Sequence, residues 1–282
     1  MTHSIGHLGP AGTYAEAAAI AYAHSLSQST GQTYSLQPYA SIAQTIRAVA
    51  SGEISLAVVP VENSIEGSVT VTLDTLWKYD ELKIQQALVL PILHALLSYA
   101  PDLSTIRTVY SHPQALSQCH DWLEKFLPGV TPIPANSTTE AIRHLHDAPT
   151  IGAISSERAA ILYNVPILAQ PINDHPDNCT RFWVLGLQPS TGGTHTSLAF
   201  SLPANLPGAL VKALQIFAER NINLSRVESR PTKRSLGEYL FFIDLEADSR
   251  SPVVQSALVE LQQYTETLKI LGSYTIEAIQ SP

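Results

Sequence analysis

Apolar and polar positions along the chain follow two periods in turn. Short apolar runs of strand length begin at His3 (HSIGHLG), Ser55 (SLAVVPVE), Thr108 (TVYS) and Ile151 (IGAISS), and each is bounded by Gly, Pro or polar turn residues. SLQPYA, KIQQALVLPILHALLSYA, TPIPA and ILAQPI add further strands. Between them AEAAAIAYAHSL, SIAQTIRAVASG, QALSQCHDWLEKFL, TTEAIRHLHD and ERAAILYN carry apolar residues at helical spacing. VTVTLDTLWKY does so at Val69, Leu73 and Leu76. Strands alternating with helices predict an α/β fold with largely parallel sheets. The pattern stops at QPSTGGTH, 188–195, which reads as a linker. Beyond it the order is strand TSLAFSL, helix GALVKALQIFAER, strands INLSRVESR and GEYLFFIDLEA, helix PVVQSALVELQQY and strand LKILGSY. That order, βαββαβ, predicts a ferredoxin-like unit.

The length of 282 residues, with 45% hydrophobic, fits two domains better than one. Lys plus Arg number 16 against 24 Asp plus Glu, a net charge of −8, with no basic run, so nucleic acid is not an expected partner. Cys119 and Cys179 match no metal-ligand spacing and suit a reduced compartment. The opening MTHSIGHLGPAG has no secretory pattern, and the longest apolar stretch, 87–100, is short for a bilayer and interrupted by Pro91 and His94. The expectation is a cytoplasmic protein without metal, cofactor or membrane contact.

Four polar loops end a strand and open a helix: LGPAGTYAE with Thr13, VVPVENSIEGSV with Glu62, Asn63 and Ser64, YSHPQALSQ with Ser111 and Gln114, and ANSTTEAI with Ser137 three residues before Glu140. Ser111 reads as a helix cap ahead of Pro113. Helix N-termini suit anions, and such loops gather on one edge of a parallel α/β sheet. GPAGTY is neither a dinucleotide fingerprint nor a P-loop. A fifth stretch, DNCTRFWVLG, sets Asn178, Thr180 and Arg181 at the mouth of an apolar strand. His144 and His146, two apart on a predicted helix, face apart and make a poor metal pair.

Together GPAGTYAEAAA, VVPVENSIEGSV, SHPQALSQC, ISSERAA and DNCTRFWVLG resemble the prephenate dehydratase family, and LPGALVKAL with INLSRVESRP is similar to the signature segments of an ACT regulatory domain. One departure is Ala15, where the family commonly has Ser. The resemblance implies a bilobal, periplasmic-binding-protein-like catalytic domain over 1–187, with lobe one about 1–77 and 163–187 and lobe two about 78–162. It further implies a linker at 188–194 and a ferredoxin-like ACT domain at 195–282.

The implied activity removes the ring carboxylate of prephenate as CO2 and the ring hydroxyl as water, leaving aromatic phenylpyruvate. The implied catalytic residues are Thr180, as hydrogen-bond or proton donor to the departing oxygen, Arg181, Asn63 and Ser64. Arg181 either meets a substrate carboxylate or holds its loop by an ion pair. Thr13, Glu62, Ser111, Gln114, Thr138 and Asn178 are the implied substrate contacts, with Glu62 either protonated or paired within its loop. An allosteric phenylalanine site is implied at Leu206, Gly208, Ala209, Leu210, Asn223, Leu224, Glu228, Ser229 and Arg230, between subunits of a homodimer or homotetramer. Arogenate dehydratase is the alternative within the enzyme class, and a non-catalytic bilobal amino-acid sensor is the alternative outside it.

Overall fold

The structure, a computed structural model, describes residues 3–281. Its strands form three sheets. Strands β1 (His3–Leu8), β2 (Tyr34–Tyr39), β3 (Leu56–Asn63), β4 (Gly67–Ser68) and β5 (Lys83–Pro91) belong to the first. Strands β6 (Ala95–Leu97), β7 (Thr108–Ser111), β8 (Thr131–Pro134), β9 (Ile151–Ser155) and β10 (Ile167–Ala169) make the second, in the order β10-β6-β9-β7-β8. Strand β11 (Cys179–Gly186) then returns to the first sheet, between β3 and β5. Strands β12 (His195–Ser201), β13 (Leu224–Pro231), β14 (Tyr239–Leu245) and β15 (Thr267–Tyr274) form the third, in the order β13-β14-β12-β15. The last strand, β16 (Ile276–Ala278), leaves the tail and pairs in parallel with β5 at the edge of the first sheet.

Helix α1 (Tyr14–Thr30) packs one face of the first sheet, burying Ala15, Ala17, Ala18, Ala19 and Tyr22. Alanine at these positions lets the helix lie close to the strands. Thr13 caps it, accepting from the Glu16 amide, and Gly31 ends it at φ 69°, a left-handed conformation suited to glycine. On the other face lie α2 (Ile42–Ala50) and α3 (Thr70–Leu76). The second lobe carries α4 (Pro113–Ser117), α5 (His120–Phe126) and α6 (Glu157–Tyr163), and the tail carries α7 (Ala209–Ala218) and α8 (Pro252–Gln262) on one face of its sheet. No helix among the described residues is long and apolar enough to cross a membrane.

Several expectations need correction. Both lobe sheets are mixed: β11 runs antiparallel to β3 and β5, and β6 antiparallel to β9 and β10. The chain passes from the first sheet to the second after Pro91, not after residue 77, because β5 pairs with β11. It returns after Ala169, not at 163, because β10 pairs with β6. The run 87–100 is therefore two strands in different sheets, divided at Pro91–His94. The predicted helix at 114–127 is two short helices broken at Gln118–Cys119, and 140–146 is a run of 3-10 turns.

The pleat of β11 divides the catalytic unit from the tail. Phe182 and Val184 pack in the core beneath α1, while Trp183 and Leu185 pack with α2, α3 and the tail residues Ala199, Leu240, Phe242, Leu271 and Tyr274. The third sheet thus has helices on one face and the catalytic lobe on the other. A shared core couples the two units energetically. Phe242 is fully buried there, edge-on to Trp77 with ring centroids 6.4 Å apart. Phe242→Ala is expected to cost about 3–5 kcal/mol. In denaturant titrations it should shift the tail and the first lobe together, as one transition followed by tryptophan fluorescence and by far-UV circular dichroism.

Candidate active site

The two lobes enclose a cleft of about 860 Å³. The first lobe lines it with Thr13, Tyr14 and Ala15 at the start of α1, Asn63 at the end of β3, and Thr180 and Phe182 on one face of β11. The second lobe contributes His112, Gln114 and Gln118 around α4 and the loop from Asn136 through Thr138 to Arg143. Side by side across the lobes, Gly12 sits at φ +86°, where a Cβ would lie 3.3 Å from the Ala159 Cβ. Ser156 Oγ donates to the Gly12 carbonyl at 3.0 Å, and Arg158 pairs with Glu16 at 3.1 Å, so α6 is fastened to the first loop.

Thr180 is 9% exposed and faces Asn63 across the β3–β11 ladder. The Asn63 amide donates to Thr180 Oγ1 at 3.0 Å and to Asn178 Oδ1 at 2.9 Å. Its orientation is set by the backbone, because Asn63 Oδ1 accepts from the amides of Ile65 and Glu66 at 3.0 and 3.1 Å. The remaining polarity follows by exclusion. Asn178 Oδ1 is the acceptor, so Asn178 Nδ2 donates to Gln118 Oε1 at 2.9 Å. Gln118 Oε1 is then the acceptor facing His94 Nε2 at 3.0 Å, which puts the imidazole hydrogen on Nε2 and leaves Nδ1 toward the Tyr14 hydroxyl at 3.1 Å. Burial pulls the His94 imidazole below its ordinary value of 6.5, against a smaller opposing pull from the Gln118 hydrogen bond. The chain of amides ends at Thr180 with a donor on its oxygen, so the Thr180 proton is free to point at whatever occupies the cleft.

The other expected residues divide. Gln114 and Thr138 line the cleft, as does Thr13, whose hydroxyl donates to the Leu8 carbonyl at 3.1 Å. Asn178, 2% exposed, orients Asn63 instead of reaching the cleft. Ser64 also lies outside the lining and accepts from the Cys179 amide at 3.0 Å, fastening the turn. Ser111 is fully buried and donates to the Ile154 carbonyl at 2.7 Å; the cap of α4 is His112, which accepts from the Gln114 amide. Neither Glu62 nor Arg181 lines the cleft. The pleat of β11 turns Arg181 to the opposite face, and an extra residue in β3 at Val61 turns Glu62 the same way, so that Arg181 pairs with Glu62 at 2.8 Å and with Asp244 of the tail at 3.1 Å.

Asp244 is 0% exposed and also takes Arg226 at 2.8 Å and Ser197 Oγ at 2.6 Å. Burial, the largest single influence, would lower the Arg226 pKa, and the charge and hydrogen bonds of Asp244 together with the nearby Glu62 and Tyr274 carry it above its ordinary value. The guanidinium of Arg226 lies over Trp183, 5.2 Å from the ring centroid. Farther along β13, Glu228 accepts from Ser68 Oγ at 3.1 Å, and Arg230 grips Asp74 at 3.1 and 3.2 Å. Those two residues of the expected allosteric set therefore face the catalytic lobe and hold the joint. Leu206, Gly208, Ala209 and Leu210 open α7 on the helix-covered face, with Gly208 at φ +80° and nothing within 4 Å of where a Cβ would stand. Asn223 and Ser229 are exposed, and Leu224, which begins β13, packs at the edge of the tail core. In one chain the set is split between the two faces of the sheet.

The sequence carried no functional signal for Gln118, Tyr14 or Arg143, and it marked Glu140 only as a capping-box partner and His94 only as an interruption. Gln118 does leave a trace, a polar residue one turn beyond Gln114 at a position the fold buries, and His94 is the polar break in the apolar run.

The fold and its cleft define a class, a two-lobed α/β domain carrying a ferredoxin-like tail packed on one lobe. The prephenate dehydratase family model matches residues 5–190 and the ACT domain model residues 196–262. The chain belongs to the prephenate dehydratase family, with a C-terminal ACT domain. It is 40% identical over 279 residues to a bifunctional chorismate mutase/prephenate dehydratase of Aquifex aeolicus, covering 98% of this chain and 74% of that one. It is 34% identical to a prephenate dehydratase of Lactococcus lactis subsp. cremoris, covering 98% of each. Among solved structures, prephenate dehydratase from Arthrobacter aurescens in complex with L-Phe superposes with a TM-score of 0.85 at 35% identity, over 96% of this chain and 90% of that one. GqqA, described as a novel type of quorum quenching acylase, superposes at 0.79 with 28% identity, over 96% and 97%.

His94 supplies a pH test. Its folded pKa lies below the unfolded value, so the unfolded state binds the extra proton and stability falls as pH drops below about 6.5. Thermal melts between pH 8 and 5 should show this loss, and His94→Gln should flatten the slope while lowering stability at pH 8.

Proposed function

We propose that the chain catalyses the decarboxylating dehydration of prephenate to phenylpyruvate, under control of phenylalanine bound to its ACT domain. The observation that carries this is the polarity of Thr180: its oxygen is occupied by the Asn63 amide, and its proton is left for the cleft. In the reaction the bond from the ring to its carboxylate breaks, and its electron pair enters the ring as the C–O bond opposite breaks. CO2 leaves, and the departing hydroxyl takes up one proton to become water. Aromatisation makes the step strongly downhill, so the protein has to position, not to drive. A threonine hydroxyl is a weak acid, and its contribution is a hydrogen bond that strengthens as negative charge grows on the leaving oxygen. Asn63 donating to Oγ1 makes that proton a better donor. Solvent resupplies the proton consumed.

Phenylpyruvate lies one amino transfer from phenylalanine, so inhibition by phenylalanine would be feedback. Support for a route from tail to cleft is the ion-pair cluster of Arg181, Glu62, Asp244 and Arg226, which begins one residue from Thr180. A ligand that shifts β13 and β14 by binding at their edge, between two copies of the chain, would move the partners of Arg181. β13 is an edge strand of its sheet.

The deciding assay is spectrophotometric formation of phenylpyruvate from prephenate, with arogenate in parallel. Thr180→Ala should lower kcat by about a hundredfold or more with little change in KM, and Thr180→Ser should retain most activity. A near-normal kcat for the alanine variant would remove Thr180 from the mechanism. Absence of turnover with either substrate would remove the dehydratase function itself. For the tail, Asp244→Asn is expected to raise the phenylalanine concentration for half-inhibition by about tenfold. Arg181→Lys, which keeps charge but loses the two-carboxylate fork, should act in the same direction if the asparagine variant folds poorly.

A further inference from the structure

The cleft must hold a dianion, yet the arginine expected to meet it is turned away. Arg181 is bound by two carboxylates on the far face of β11, and Arg158 is paired with Glu16. Burial lowers the pKa of both His94 and His112, which keeps them poor cations. Among the described residues lining the cleft, Arg143 is the one arginine or lysine. It is exposed, and no ion pair among the described residues engages it. Glu140, one turn earlier, also lines the cleft without pairing to it. A second feature lies on the same wall. Thr139 lines the cleft and is 3% exposed, and its hydroxyl oxygen has no hydrogen-bond partner. A buried hydroxyl left without a partner is uncommon in native proteins and asks for a ligand or water.

We propose that Arg143 and the Thr139 hydroxyl form a carboxylate subsite on the second lobe, and that it holds the pyruvyl carboxylate of the substrate. The proposal rests on the prephenate activity above and adds the orientation of the substrate. The choice between its two carboxylates follows from charge. The ring carboxylate loses its charge on leaving as CO2, and a guanidinium gripping it would stabilise the ground state and slow the reaction. The pyruvyl carboxylate keeps its charge from substrate to product, so a cation there contributes binding and leaves the barrier alone. Arg143 on one lobe and Thr180 on the other then fix the two ends of one molecule, which places the ring hydroxyl at the Thr180 proton and the ring carboxylate against Phe182 and the apolar wall.

The test compares the unaltered chain with Arg143→Gln, Arg143→Lys and Thr139→Val. For prephenate, Arg143→Gln should raise KM by roughly ten- to a hundredfold with kcat within about threefold, and Arg143→Lys should recover most of the loss. Thr139→Val should give a smaller rise, of about three- to tenfold. Phenylpyruvate, which retains only the pyruvyl carboxylate, should lose affinity for Arg143→Gln by about the same factor, measured by calorimetry without turnover. A change in KM below twofold, or a fall in kcat in place of a rise in KM, would overturn the assignment. If prephenate binding falls and phenylpyruvate binding does not, Arg143 serves the ring carboxylate and the orientation is wrong. If the unaltered chain binds phenylpyruvate but turns over no prephenate, the dehydratase function fails while the arginine is still judged by the binding arm. If it binds neither, both fail.

Discussion

Everything at the site depends on the pleat of one strand. β11 is held on both sides, by β3 and by β5, and successive residues must point to opposite faces. Thr180 and Phe182 therefore face the cleft, and Arg181 and Trp183 face the tail. Two adjacent side chains serve two separate purposes, one lining the cleft and one binding the sheet of the ACT domain. Only one peptide unit separates the side chain that grips the tail from the Thr180 hydroxyl, in a strand whose register cannot slip without moving its whole hydrophobic set.

The second requirement is direction. A hydroxyl can accept or donate, and one that is to donate into the cleft has to be kept from spending its proton on the protein. Here a run of amides imposes one sense from the backbone of Ile65 and Glu66, through Asn63, to Thr180. Asn178, Gln118 and His94 brace Asn63 from the second lobe and from the crossing segment. Buried networks of this kind are stable only when every member is satisfied, so loss of one amide disturbs the rest. The brace also spans the lobes, because Gln118 belongs to the second and Asn63 to the first, and their relative position decides whether Thr180 is aimed.

The tail is more than an appended domain. Its sheet shares a core with the first lobe, Arg230 and Arg226 hold carboxylates at the joint, and β16 extends the catalytic sheet. The buried Asp244 receives two guanidiniums and a hydroxyl, which together offset the cost of burying its charge. Such an arrangement holds one geometry tightly, and ligands that alter it act on both units.

The chain by itself determined the elements and their grouping: alternating strands and helices, a linker near 190, a βαββαβ tail, and polar turns where strands meet helices. Those features follow from local periodicity and turn chemistry, which neighbours in sequence carry. Thr180, Asn63, Gln114, Thr13 and Thr138 were legible as cleft residues for the same reason, since each stands at a strand end or loop that such a fold gathers on one edge. Tertiary structure alone decided the rest. Whether Arg181 or Thr180 faced the cleft depended on which side of β11 the tail occupied, and Ser111 was lost to the site because its hydroxyl met the carbonyl of Ile154 on a neighbouring strand. Gln118 and His94 gained their roles from partners 60 and 24 residues away in sequence, and β16 paired with a strand introduced long before it. Long-range pairings of this kind have no local signature, because the partner that completes each one is supplied only when the chain has folded.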